Sequence, residues 1–308
     1  MDTVKDYLNE LDQQPEDIKT STLLEMSDLS GEDVENFSDI WSKLESEIKV
    51  KILKRLTELA EYDVQLDFTS ICKLCLSDPE PIVRKSALDG LWELQDRTFI
   101  QPLIEILIND TDSAVKSAAA IALNSFAQMH QNGKLIERDS SKIFDALMQT
   151  IEKGQEENAV ISRTVEAIGY FSGQQVEDTL TKFHRNKNSQ LRQSAIFAMG
   201  RNAQPKWLDM ILKDFNDANP AIRFEALNAA GLLGDESTVP QIIPFTKDTD
   251  TQIKLAAITS LGYIGGELAK REILTWIEDD DENVKDAAIS ALANIDFEQD
   301  PLGIRFNE

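Results

Sequence analysis

One short pattern returns at a fixed interval of 31 residues through the C-terminal half of this chain, and no other feature limits its fold so tightly. It reads Leu191-Arg192-Gln193-Ser194-Ala195 with Gly200, then Ile222-Arg223-Phe224-Glu225-Ala226 with Gly231. It returns as Ile253-Lys254 and Ala257 with Gly262, and as Val284-Lys285 and Ala288 with Ala293 in the glycine slot. A constant period of this length marks stacked repeats, whose units are too small to bury an apolar face alone and bury it against their neighbours. Upstream the pattern loosens. Copies carrying Val83-Arg84 and Val115-Lys116 lie 32 residues apart, and 45 residues separate Val115 from Val160. The extra residues fall near 131–139, a polar run expected to form a surface loop on one edge.

Each copy holds two apolar stripes at three- and four-residue spacing, so each is expected to be a pair of antiparallel helices. The second stripe runs through Trp207, Met210, Ile211 and Phe215, or through Val239, Ile242, Ile243 and Phe245, with a tight turn expected near Gly200, Gly231 or Gly265-Gly266. Asp78-Pro79 is a helix-start signal, because aspartate caps free amides and proline loses no hydrogen bond at the first helical position. Helical spacing begins near Glu47. We therefore expect an acidic arm at 1–46, partly disordered or in short helices, a helical array at 47–298, and a tail at 299–308. Up to residue 47, fourteen acids stand against three lysines, and this charge density predicts a loosely attached arm.

Composition removes several functions. The net charge of −24 opposes the counterion-release attraction behind nucleic-acid binding, and it opposes anionic membranes as well. No window approaches the apolar length of a membrane span, and the N-terminus lacks a secretion signal, so a cytoplasmic protein is expected. Cys72 and Cys75 form a lone CxxC without a second pair and are expected to be core thiols. His130 and His184 are the only histidines and neither adjoins a glutamate. No metal site, cofactor, nucleophile elbow or phosphate-cradling loop is expected.

The run Asp78-Pro79-Glu80-Pro81-Ile82-Val83-Arg84, with Ala87 after it, resembles the HEAT repeat, more narrowly the short repeat of phycobilisome-lyase type. The resemblance covers roughly 78–295 and extends weakly back to 47. It implies an all-α fold, a right-handed α-solenoid in which the Val-Arg helix lines the concave side. It implies an interaction scaffold without chemistry of its own. The alternative it brings is a bilin lyase-like protein that handles a linear tetrapyrrole. A di-iron hydroxylase of this class would require several His-Glu pairs, which the sequence lacks.

The acid and base that recur in each copy, such as Asp78 and Arg84 or Asp217 and Arg223, predict a ladder of charges between neighbouring repeats. Positions one, five and nine after the basic slot share a stripe distinct from the buried one. At the first copy this stripe is Lys85, Asp89 and Glu93; at the last it is Asp286, Ser290 and Asn294. In the middle copies it carries Tyr170, Phe197, Arg201, Phe224, Leu232, Leu255 and Tyr263. These seven form the candidate groove for a partner protein or peptide, since a contiguous exposed apolar patch signals binding. The competing reading leaves Phe197, Phe224 and Tyr263 as packing between repeats.

Overall fold

The computed structural model describes residues 4–13, 18–91 and 96–299. Among them lie helices α1 (Val4–Gln13), α2 (Thr20–Leu24), α3 (Glu32–Trp41), α4 (Ser46–Tyr62), α5 (Thr69–Cys75) and α6 (Pro81–Asp89). Then follow α7 (Ile100–Asn109), α8 (Ser113–Gln131), α9 (Glu137–Lys153), α10 (Asn158–Ile168), α11 (Gln174–His184) and α12 (Ser189–Asn202). The last are α13 (Leu208–Asp214), α14 (Pro220–Leu233), α15 (Val239–Ile242), α16 (Thr251–Ile264), α17 (Gly266–Leu274) and α18 (Glu282–Gln299). No strand occurs among the described residues. The fold class expected from the sequence, an all-α solenoid, is the one found. Glu93 and residues 300–308 of the tail lie outside the described residues.

The chain divides into two compact units, with the boundary after Thr164, inside α10. In the first, α4, α6 and α8 pack side by side, and α7 and α9 cover α8. In the second, α12, α14, α16 and α18 form a row, each against the next, with α11, α13 and α17 packed on α12, α14 and α16. The repeat frame is its core: Leu191, Ala195, Ile222, Ala226, Ile253, Ala257, Val284 and Ala288 are all buried.

The glycine slot is part of this row and not of the turn. A Cβ at Gly200 would lie 2.8 Å from Ala229 Cα, one at Gly231 2.9 Å from Ser260 Cα, and one at Gly262 2.7 Å from Ala291 Cα. Each glycine thus meets the next helix of the row backbone to backbone, where no side chain fits. The expectation of a turn near Gly200 and Gly231 is corrected accordingly. Their helices continue to Asn202 and Leu233, and the chain reverses at Ala203 and Gly234, both in the left-handed region.

Several repeats open with a pair of side-chain caps. Asp110 Oδ1 accepts the Asp112 N–H at 2.9 Å, and Asp112 in turn caps α8 by accepting from Ala114 and Val115. Asn186 with Asn188, Asp217 with Asn219, and Asp248 with Asp250 repeat the device. The charge ladder runs between repeats, with a register the sequence did not reveal. Arg84 reaches forward to Asp110 through two 2.8 Å bonds and touches Asp78 only at its backbone carbonyl. Asp78 belongs instead to Lys49 of α4, and Asp217 to Arg192.

One expectation changes in the first unit. Helices α1–α3 are short, and Leu8, Leu11, Leu23, Met26 and Phe37 are each at most 1% exposed, so the acidic segment is packed and not loose. Its charges lie on one side of amphipathic helices whose other side suffices for a core. In the segment near 131–139, residues 132–136 form a mostly exposed connection, the expected surface loop, shortened because helices reach in from both sides. α8 runs to Gln131 and α9 starts at Glu137, so the added residues lengthen two helices around a short connection.

Candidate functional site

The seven candidate residues all fall in the second unit. Tyr170 follows α10, Phe197 and Arg201 lie on α12, Phe224 and Leu232 on α14, and Leu255 and Tyr263 on α16. Tyr263 is 51% exposed and the other six are partly exposed, in contrast to the buried frame on the same helices. Arg201 is stacked over Phe197, its guanidinium carbon 5.2 Å from the ring centroid. That geometry is a cation–π contact. The Tyr170 hydroxyl is raised above its ordinary pKa by burial, with Arg201 opposing and Glu166 adding to the rise. Tyr170, Phe197 and Arg201 therefore form one cluster. Leu255 and Tyr263 stand two helices further along the row.

The cluster contains acids that the stripe did not single out. Glu166 on α10 accepts from the Ser194 hydroxyl of α12 at 2.7 Å. Glu225 on α14 feels both Glu166 and Arg201. Burial, then the charge of Glu166, push its carboxyl up to about 7, against the pull of Arg201. Glu225 is two residues after the basic slot Arg223, one step off the stripe. Helices packed this closely bring position two of one copy against position nine of the copy before it, and a single-helix stripe does not contain that information.

A raised carboxyl has a stability consequence. The unfolded chain releases the Glu225 proton near 4.5, while the folded chain keeps it until about 7, so the contribution is fully present below 4.5 and is lost as pH rises to 7. At about 1.4 kcal/mol per unit, reduced for partial exposure, the loss is about 1–2 kcal/mol. Glu225→Gln is expected to be more stable than the parent by that amount in urea unfolding at pH 8, with the two proteins indistinguishable at pH 4.5. An equal difference at both pH values would assign the effect to packing.

Other reactive side chains are accounted for by structure. His184 Nε2 lies 2.6 Å from Asp214 Oδ2, and Arg192 binds the same carboxylate, tying α11 and α12 to α13. Cys72 and Cys75 are buried free thiols, and burial pushes the Cys72 thiol up to about 12 and Cys75 upward as well, far from a nucleophilic thiolate. Among the described residues no three His, Cys, Asp or Glu side chains stand together as metal ligands. No described helix is long and apolar enough to cross a membrane.

Comparison with known proteins follows the architecture. No curated protein sequence matches the chain. Among solved structures, the complex of CpcE and CpcF of phycocyanin lyase from Nostoc sp. PCC7120 is similar at 16% identity, over 85% of this chain and 93% of that one, with a TM-score of 0.52. Kap95p, from a complex with RanGDP, is similar at 12% identity with a TM-score of 0.54. It is covered over 46% of its length by 97% of this chain, which therefore spans less than half of it. Human deoxyhypusine hydroxylase is more distant, at 14% identity over 94% of this chain and 97% of that one, with a TM-score of 0.37. Such likenesses show the fold alone. The family model for HEAT repeats matches residues 69–142, 177–244 and 239–302, well over half of the chain. With its 31-residue frame, paired caps and inter-repeat charge ladder, this chain belongs to the HEAT-repeat family.

Proposed function

We propose that the protein is a non-catalytic scaffold that holds a partner protein or peptide along the α12–α14–α16 row of its second unit. The observation that supports this most is the contrast within single helices. Phe197, Phe224, Leu232, Leu255 and Tyr263 remain partly exposed, although the frame residues beside them already complete the core. Large side chains that stacking does not require, set around one polar cluster, have the composition of a binding hot spot. The close approach at the glycine slots also brings these helices nearer to one another than side-chain-mediated packing allows, which favours the inner side of a curved row. CpcE and CpcF form a complex with each other, and Kap95p binds RanGDP. Protein binding by a fold of this class is the precedent they supply.

A photo-crosslinking residue at Phe197 or Tyr263 is expected to capture one and the same partner in cells, with none captured from Tyr62, an exposed site in the other unit. Phe224→Ala should cut that capture at least about tenfold while the melting temperature changes by only a few degrees. Equal capture from Tyr62, or capture unaffected by Phe224→Ala, would reject the groove. The bilin alternative is disfavoured by charge, since Glu166 and Glu225 flank Arg201 where propionates would have to bind. A shifted visible absorption on mixing with a bilin would restore it.

A further inference from the structure

The first unit contains a cavity of about 310 Å³ at the start of α9, built on the longer interval that interrupts the repeat period. Arg97, Arg138 and Lys142 line it, together with Thr98, Gln101 and one acid, Asp139. Three cations against one carboxylate leave an excess of two positive charges, in a chain whose net charge is −24. The cluster therefore runs against the composition around it.

Asp139 orients the two arginines. Arg97 gives it Nε at 2.8 Å and also Nη2, and Arg138 gives it Nε at 3.3 Å. The Arg97 hydrogen bond, then that of Arg138, hold the Asp139 carboxyl below its usual range against burial, so it stays ionised. Arg97 retains Nη1 and Arg138 retains both Nη groups. Lys142, one helical turn after Arg138 on the same face, makes no ion pair or hydrogen bond among the described residues. Ile136, the cap residue of α9, supplies no side-chain acceptor, so no cap side chain engages the N–H groups of Glu137 and Arg138 at the positive end of the helix. Nearby acids are otherwise placed: Glu105 accepts from Gln101, Asp96 caps Thr98, and Glu137 is exposed.

We propose that this cavity is a binding site for a phosphoryl dianion. A monoanion would leave one of the two excess charges uncompensated, while a phosphoryl group offers three acceptor oxygens to the two guanidinium forks and the ammonium. The cavity has room for about ten waters, enough for the group and part of its carrier. The insertion that lengthens α8 and α9 thereby acquires a purpose, because it brings Arg138 and Lys142 opposite Arg97.

The test is titration of the full chain with inorganic phosphate at constant ionic strength, followed through the backbone amide signals of Thr98, Gln101 and Arg138. Saturable shifts are expected, with affinity at least about tenfold weaker in the Arg138→Gln, Lys142→Gln double variant. Both side chains are exposed, and the melting temperature of the variant should match that of the parent. Shifts that do not saturate, or that persist unchanged in the variant, would overturn the proposal. A phosphoserine peptide and a sugar phosphate then identify the carrier. Tighter binding of the peptide means a phosphorylated protein segment, and tighter binding of the sugar phosphate means a small metabolite.

Discussion

Gly231→Ala is expected to destabilise the second unit by about 2–4 kcal/mol, although helix propensity alone predicts a gain of about 1 kcal/mol from the same change. The two effects have opposite signs and geometry decides between them. A Cβ at Gly231 would sit 2.9 Å from Ser260 Cα, Cβ and Oγ at once, and Ser260 is itself anchored by its hydroxyl donating to the Leu227 carbonyl at 2.7 Å. Nothing flexible is available to yield. Gly262→Ala should behave the same way, with Ala291 Cβ at 2.6 Å. The control is built into the chain: Ala293 occupies the same slot in the last copy, is exposed, and has no later repeat packed on it in the described residues. There the reverse change, Ala293→Gly, should cost about 1 kcal/mol by propensity. Urea unfolding with hydrogen exchange over α14 and α16 measures both, and stabilisation by Gly231→Ala would refute the close-contact account.

This slot also shows what the sequence makes legible. Periodicity identified Leu191, Ala195 and their equivalents as the core, because burial on a helix recurs at fixed steps and leaves its record within one segment. It located the glycines too, but assigned them to turns, since a glycine required by a neighbouring helix and one required by backbone conformation look alike in a single chain. The charge ladder was legible in composition and not in register. Arg84 has Asp78 six residues back and Asp110 twenty-six ahead, and only the stacking brings the second within 2.8 Å. For the candidate groove, the stripe supplied Tyr170, Phe197 and Arg201. Glu225 required the offset between α12 and α14, a property of two helices together. The acidic segment before residue 47 misled for a related reason: net charge averages over faces, while packing depends on one face alone.

Among the contacts that join that segment to the repeats is one buried acid, and Asp78→Ala is expected to produce the largest loss in the first unit, about 3–5 kcal/mol. Asp78 Oδ2 accepts from Lys49 Nζ at 2.8 Å and from Trp41 Nε1 at 2.9 Å, while Oδ1 accepts the Glu80 N–H at 3.0 Å. The Lys49 and Asp78 side chains are 6% and 2% exposed. Removing the carboxylate leaves an ammonium, an indole N–H and a loop amide without an acceptor where water scarcely reaches, and a lost partner in a buried pair costs far more than the pair's net value. Hydrogen exchange should localise the loss, with protection falling first in α3, which carries Trp41, and in α4, which carries Lys49. The double variant Lys49→Met, Asp78→Ala should recover much of the stability, because no charge is then stranded. If it unfolds as readily as Asp78→Ala, the lost Trp41 and Glu80 N–H bonds, and not the stranded Lys49 charge, account for the destabilisation.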